Sequence, residues 1–198
     1  MGIKNQVSEE AIAQIFTKAR THHVWTDKAV SDAQLQSLYE LAKWGPTSAN
    51  SLPMRIVFVR SKEGKEKLYP ALFGGNVDQV RAAPVTAIIA YDEKFYNYLP
   101  QLFPATDVKP MFENNAELSS FSALQSSSLQ GAYFILAARA LGLDTGPMGG
   151  FDRAKVDEAF FKGTSWKSNF LCNIGYGDDS KLYPRGPRLE FAEVCKIV

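Results

Sequence analysis

The sequence predicts one mixed helix-and-strand domain, α+β or α/β, and three observations carry that expectation. Helical and strand-like segments interleave along the whole of the 198 residues. No GxGxxG stands between a strand and a helix, and neither a GxxxxGK[ST] phosphate loop nor a GxSxG nucleophile elbow is present, so the alternation is not that of a Rossmann domain or a common hydrolase. Finally, 45% of the residues are hydrophobic and 22% charged, the balance of a chain that buries a substantial core. With no repeat, low-complexity tract or linker, residues 1–198 are read as a single domain.

Each element has its own signal. Ser8, followed by Glu9 and Glu10, opens a helix in which Ile12, Ile15, Phe16 and Ala19 share a face, and which ends near Arg20. "SDAQ" at 31–34 has the form of a capping box, with Leu35, Leu38, Tyr39 and Ala42 on one face and Gly45-Pro46 as the stop. "MRIVFVR" (54–60) and "PVTAIIAYD" (84–92) are short, apolar and β-branched, and read as strands, the second well buried. Between 62 and 81 the charges with Leu68, Ala71 and Leu72 predict a helix and a loop, with a turn at "GGN" (74–76). Residues 95–115 mix aromatics, prolines and amides without a period and predict a partly helical excursion that covers something. The longest helix spans 117–141, apolar almost all round near its end, and Gly142 stops it. A helix at 153–161, a strand at 169–177 and a further strand in the tail "RLEFAEVCKIV" complete the reading.

Composition excludes several functions. The 22 basic and 21 acidic residues nearly cancel and are interspersed, which gives no footprint for nucleic acid or an anionic membrane. No run approaches the roughly 18 apolar residues of a membrane span, and the N-terminus lacks the pattern of an export signal, so a cytoplasmic protein is expected. Cys172 and Cys195 are far apart and form no CxxC pair. With His22 and His23 as the only histidines, no zinc or iron site of imidazole and thiolate is expected.

Three loops are candidates for chemistry: "ARTHHVW" (19–25), "GPTSANS" (45–51) and "GPMGG" (146–150). Each alone reads better as ordinary structure: Arg20 as a helix cap, "GPTSAN" as a polar turn, Gly146 to Gly149 as a type I turn. Together they match the needs of a cofactor with a phosphate and a flat heteroaromatic ring. Arg20, Thr21 and His22 would hold the phosphate, Thr47, Ser48 and Asn50 would address the ring or its chain, and the bare backbone of "PMGG" would approach the reactive face.

The set "RTHHVW", "LAKWGPTSANS", "ARALGLDTGPMGGFD" and "NIGYGD…RGPRL", in this order over nearly the whole chain, resembles the nitroreductase family of FMN-dependent oxidoreductases. More narrowly, it is similar to the malonic semialdehyde reductases of pyrimidine (uracil) degradation. The resemblance implies an α+β fold with a central, mostly antiparallel sheet flanked by helices. It also implies an intertwined homodimer with exchanged termini and FMN at the interface. By motif position, Arg20, Thr21, His22 and Arg188 match phosphate ligands. Pro46, Thr47, Ser48 and Asn50 match a turn presented by the partner subunit, and Pro147, Met148, Gly149 and Gly150 match the segment along the flavin. Asn76 and Gln79 fall where the family contacts the ring edge. Gly149 replaces a glutamate common in the family, Leu52 a glutamine and Gly186 a lysine for which Arg185 compensates.

The implied activity is hydride transfer from NADH or NADPH through FMN to malonic semialdehyde, giving 3-hydroxypropionate, with no side-chain nucleophile. Arg55, Lys109 and Arg185 are the cations considered for the acceptor's carboxylate. A broad nitroreductase or quinone reductase is the alternative within the class, and an FMN-storing module without turnover the alternative outside it.

Overall fold

Ser31 caps its helix as the sequence predicts: its hydroxyl accepts from the Gln34 N–H, and the Gln34 side chain accepts from the Ser31 N–H, a closed capping box. The computed structural model describes residues 5–198. In chain order the helices are α1 (Glu9–Ile12), α2 (Asp32–Ala42), α3 (Lys62–Leu68), α4 (Asn76–Ala82), α5 (Leu99–Leu102), α6 (Lys109–Glu113), α7 (Ala116–Ala140), α8 (Arg153–Phe160) and α9 (Phe191–Val194). The strands are β1 (Met54–Val59), β2 (Val85–Asp92), β3 (Asp144–Met148) and β4 (Trp166–Gly175).

The strands form one sheet in the order β1-β2-β4-β3, antiparallel throughout. β2 lies inside it and is buried on both faces, which explains why its sequence is a continuous apolar run rather than an alternation. Val85, Ala87 and Ile89 face a core shared with α2 and α7, through Leu38, Phe134 and Ala138. Ile88 and Ala90 face the opposite core, with Leu68, Val80 and Val156 from α3, α4 and α8. Helices therefore cover both faces, and the fold is α+β. The 95–115 excursion buries Phe95, Leu99 and Phe112 against Ala123 of α7, a small third core.

Several expectations need correction. The first helix is not uniform: after four α-helical residues, Ala13–Thr17 form a π turn, closed by Lys18 N–H to the Ala13 carbonyl at 2.7 Å. The wider turn changes the phase of the helix, and Phe16 emerges 56% exposed. Tyr39, placed by periodicity on the buried face of α2, is 47% exposed. Residues 144–148, read as loop and turn, are a strand; Pro147 is tolerated there because β3 is an edge strand. The tail forms no strand with this chain's sheet. Its one element is the four-residue α9, and Phe191, Val194, Ile197 and Val198 stand exposed.

Among the described residues no helix is long and apolar enough to cross a membrane, and no three His, Cys, Asp or Glu side chains gather as a metal site.

Two local features yield tests. A Cβ at Gly131 of α7 would lie 2.5 Å from the Phe170 ring, so helix and strand meet there only because the side chain is absent. Gly131→Ala should lower the unfolding free energy by about 1–3 kcal/mol in urea titration. Burial pushes the Cys172 thiol up to about 12, whereas Cys195 is exposed. An aromatic disulfide reagent at pH 8 should therefore leave the Cys172 thiol unmodified in the native protein and reach it only on unfolding.

Candidate functional site

The segment leaving the π turn builds the first half of the site. Thr21 bridges Thr145 in parallel, and the His22 N–H donates to the Thr145 carbonyl at 3.0 Å, so residues 20–22 run along the outer edge of β3. The chain returns over the same place after β4: Arg185 Nη2 donates to the Ala19 carbonyl at 3.0 Å, and Arg20 donates to the Tyr183 carbonyl. Between these segments lies a cavity of about 230 Å³ lined by Arg20, Thr21, His23, Arg139, Arg185 and Arg188, among others.

Its electrostatics are one-sided. The hydrogen bonds of the four guanidiniums go to backbone carbonyls of Ile15, Ala19, Tyr183, Gly186 and Pro187. The arginines that do pair with carboxylates among the described residues, Arg55, Arg60 and Arg81, are outside the cavity. Burial, reinforced by the charge of Arg185, lowers the pKa of Arg139 from its ordinary value, against the opposing fields of Cys172 and Asp144. A cluster of this kind has the charge and the fork geometry to bind a phosphate or carboxylate.

His22 does not join it. Its side chain is 3% exposed and turns into the body of the protein, with Nε2 3.1 Å from Asp179 Oδ1 and Nδ1 3.4 Å from Asp144 Oδ1. The ring leaves no room at Gly177, where a Cβ would come within 2.0 Å. His23 lines the cavity instead, with Nδ1 3.0 Å from Gln79 Oε1 and its ring beside Tyr183.

The second half lies farther along β3. At about 3.3 Å per residue, Gly149 is roughly 13 Å beyond Thr145. There a second cavity, of about 370 Å³, is walled by Ser128, Ala132 and Ile135 of α7, by Phe170, and by Pro147, Met148 and Gly149. Helix α4 braces both halves: Asn76 Nδ2 donates to the Gly150 carbonyl at 2.8 Å, and Gln79, three residues on and so on the same face, meets His23.

The glycines of "GPMGG" differ in what they are for. A Cβ at Gly146 would stand 2.5 Å from the His22 carbonyl oxygen, and one at Gly150 would stand 2.7 Å from Asn76 Nδ2. Both are explained by the chain's own packing. A Cβ at Gly149 meets nothing within 4 Å, and its backbone is outside the left-handed region. It is bare where the fold makes no demand for bareness.

The "GPTSANS" turn is held elsewhere. Thr47 Oγ1 accepts from the Leu52 N–H, Ser48 N–H reaches Ser126 Oγ, and Asn50 Nδ2 donates to the Leu102 carbonyl at 2.8 Å; Pro46 is exposed. Ala49, Asn50 and Leu52 take φ of 50°, 48° and 42°, three non-glycine residues in the left-handed region within four positions. This turn rests on Ser126 and, through Gly45, on Gln130 and Tyr133 of α7. Ser128, Ala132 and Ile135 wall the second cavity; residues two apart on a helix are about 200° apart, so α7 stands between the turn and that cavity within one chain.

Of the cations considered for a substrate carboxylate, Arg55 is tied to Asp92 at 2.8 Å and Lys109 to Glu113 at 3.5 Å, while Arg185 lines the first cavity. Sequence reasoning missed His23, Arg139, Tyr183 and Phe170. Arg139 had a signal, since it is the only charged residue of α7 after Glu117.

The model of the Nitroreductase family matches residues 16–176. Among solved structures, a nitroreductase-like protein of Bacillus subtilis superposes with a TM-score of 0.87 at 20% identity, covering 96% of this chain and 100% of that one. A nitroreductase-like protein of Exiguobacterium sibiricum, in complex with FMN, gives 0.84 at 25% identity, covering 98% and 100%. A Staphylococcus epidermidis protein assigned as an NAD(P)H:FMN oxidoreductase gives 0.84 at 22% identity over the full length of both. The matched span takes in the segment that edges β3, the strand itself and its glycine loop, and the chain belongs to the nitroreductase family.

Proposed function

We propose that the chain is an FMN-dependent NAD(P)H oxidoreductase that works as a homodimer. The observation that carries this reading is the pairing of a cavity holding four guanidiniums unneutralised by carboxylates with an open, bare Gly149 along the same strand. The donor set fits FMN: Arg20, Arg185 and Arg188 would hold the phosphate, and the apolar cavity at Pro147, Met148 and Gly149 would take the ring. FMN, when bound, supplies hydride chemistry between NADH or NADPH and an acceptor. The chain's part is to fix the ring's position, bring its bare backbone against it and keep water from its buried face.

The homodimer is supported by the placement of α7. The "GPTSANS" turn and the "PMGG" loop of one chain lie on opposite sides of that helix, so Pro46, Thr47, Ser48 and Asn50 reach a shared cofactor only from a second copy. The exposed face of α7 carries Phe121, Leu124, Leu129 and Tyr133, and the tail adds Phe191 and Ile197, an apolar surface suited to a partner. The strained backbone at Ala49 and Asn50 belongs to the segment that this arrangement places at the ligand.

For the acceptor we propose malonic semialdehyde, reduced to 3-hydroxypropionate; of the cations considered for its carboxylate, Arg55 and Lys109 are already paired and Arg185 lies with the phosphate ligands. A second reading, reduction of nitroaromatics or quinones, is favoured by the second cavity itself, which has no charged residue in its lining. Storage of FMN without turnover is separated from both by reduction with NADH or NADPH.

The test is the visible spectrum of the purified protein without oxygen. A flavin spectrum that NADH or NADPH bleaches, followed by reoxidation by malonic semialdehyde, is the expected result. Failure of the protein to hold or take up FMN removes the cofactor assignment.

Gly149→Val should keep an unfolding free energy within about 0.5 kcal/mol of the parent yet lose flavin, because the new side chain enters the ring's space. Gly150→Val should instead lose stability by about 1–2 kcal/mol, as it displaces the Asn76 amide. Retention of FMN by the Gly149 variant would refute the placement.

A further inference from the structure

The functional reading leaves one cation of the first cavity unassigned. Arg139 stands in the last turn of α7, beside buried Ala137 and Ala138, whereas Arg20, Arg185 and Arg188 are carried by loops. It is anchored at both ends: Nη1 donates to the Ile15 carbonyl at 3.1 Å, and Gln14 Nε2 donates back to the Arg139 carbonyl at 2.6 Å. That leaves most of the five guanidinium N–H donors uncommitted, and Nε is buried without an acceptor among the described residues. The side chain lines the cavity, Arg185 is close enough to repel it, the field of Asp144 opposes that repulsion, and among the described residues neither arginine is paired with a carboxylate.

We infer that Arg139 is the fixed inner cation of a phosphate-monoester site, and that it sets the preference of this site for FMN over uncharged riboflavin. The inference rests on the FMN reading above. A phosphate monoester carries about −1.5 to −2 charges near neutral pH, which offsets the repulsion among the guanidiniums; riboflavin offsets none of it. A guanidinium already held by a helix and a carbonyl loses little freedom on binding, so Arg139 contributes affinity that the loop arginines partly spend on being ordered.

The experiment is calorimetric titration of the full-length protein, stripped of flavin, with FMN, riboflavin and inorganic phosphate. Arg139→Met keeps the apolar stem and removes the charge. It should weaken FMN about 10- to 100-fold, the factor expected for one hydrogen-bonded charge, and flatten the salt dependence of binding. Riboflavin affinity should be unchanged, and the heat of phosphate binding should disappear. Gln14→Met breaks the tie to the π turn but keeps the guanidinium, and should bind FMN as the parent does. Arg139→Lys, which keeps charge without the fork, should fall between parent and Met variant, and it carries the test alone if the Met variant does not fold.

FMN affinity unchanged in Arg139→Met, or in Arg139→Lys where that variant stands alone, overturns the inference and leaves the FMN reading intact. So does equal loss of FMN and riboflavin, or a Gln14 variant as weak as the Arg139 variant, since either makes Arg139 a structural tie. A parent protein that binds neither FMN nor phosphate overturns the FMN reading and this inference with it.

Discussion

The pairing of residues 21 and 22 with Thr145 along the outer edge of β3 is the contact on which the site depends. An edge strand presents unpaired backbone groups, and Pro147 has already removed one donor from this one. The chain closes the edge with its own N-terminal segment. That closure fixes Arg20 just before the bridge and drives His22 inward just after it. The buried imidazole then meets Asp179, and Asp144 accepts the Gly177 N–H, which turns the chain after β4 back over Arg20 and delivers Arg185 and Arg188. The guanidiniums repel one another, as the effect of Arg185 on Arg139 shows, and these contacts hold them together.

Helix α7 imposes the second constraint. It packs Phe134 and Ala138 on the sheet, walls the second cavity with Ser128, Ala132 and Ile135, and carries the "GPTSANS" turn on its far side. A helix with demands on every side cannot show a single apolar stripe, and its sequence indeed lacks one. The same property that blurs its amphipathic pattern makes it the divider between two halves of a site and the spine of the proposed dimer.

Much of this was legible in the sequence, and the failures are instructive. The capping box at Ser31, the buried strand 85–92, the long helix and its Gly142 stop are local signals, and the structure keeps them. β3 was not legible because Gly146 and Pro147 carry turn chemistry, and only the long-range pairing with β4 overrides it. The tail had strand-forming residues but no partner within this chain, and propensity without a partner makes no strand. At the candidate site, Arg20, Thr21, Arg185 and Arg188 converge as their order in the motifs suggests. His22 and His23 exchange places, because adjacent residues on an extended segment point to opposite sides and sequence does not say which side is inward. Arg139 depends on a contact between residues 14–15 and 139 that no local pattern encodes.

The departures from ordinary rules fall on the same few segments. Among the described residues four cations line one cavity with no carboxylate paired to them, three non-glycine residues adopt positive φ at 49–52, Gly149 is bare without a steric reason, and an apolar tail lies exposed. Over most of the rest of the chain, pattern, capping and packing agree with one another, as they must for a sequence to specify one fold. A cost confined to particular places persists when something outside the folded chain offsets it. In the proposed dimer a phosphate meets the cations, a flat ring occupies the space at Gly149, and a second copy covers the turn and the tail. The proposed assembly would meet all four departures at once.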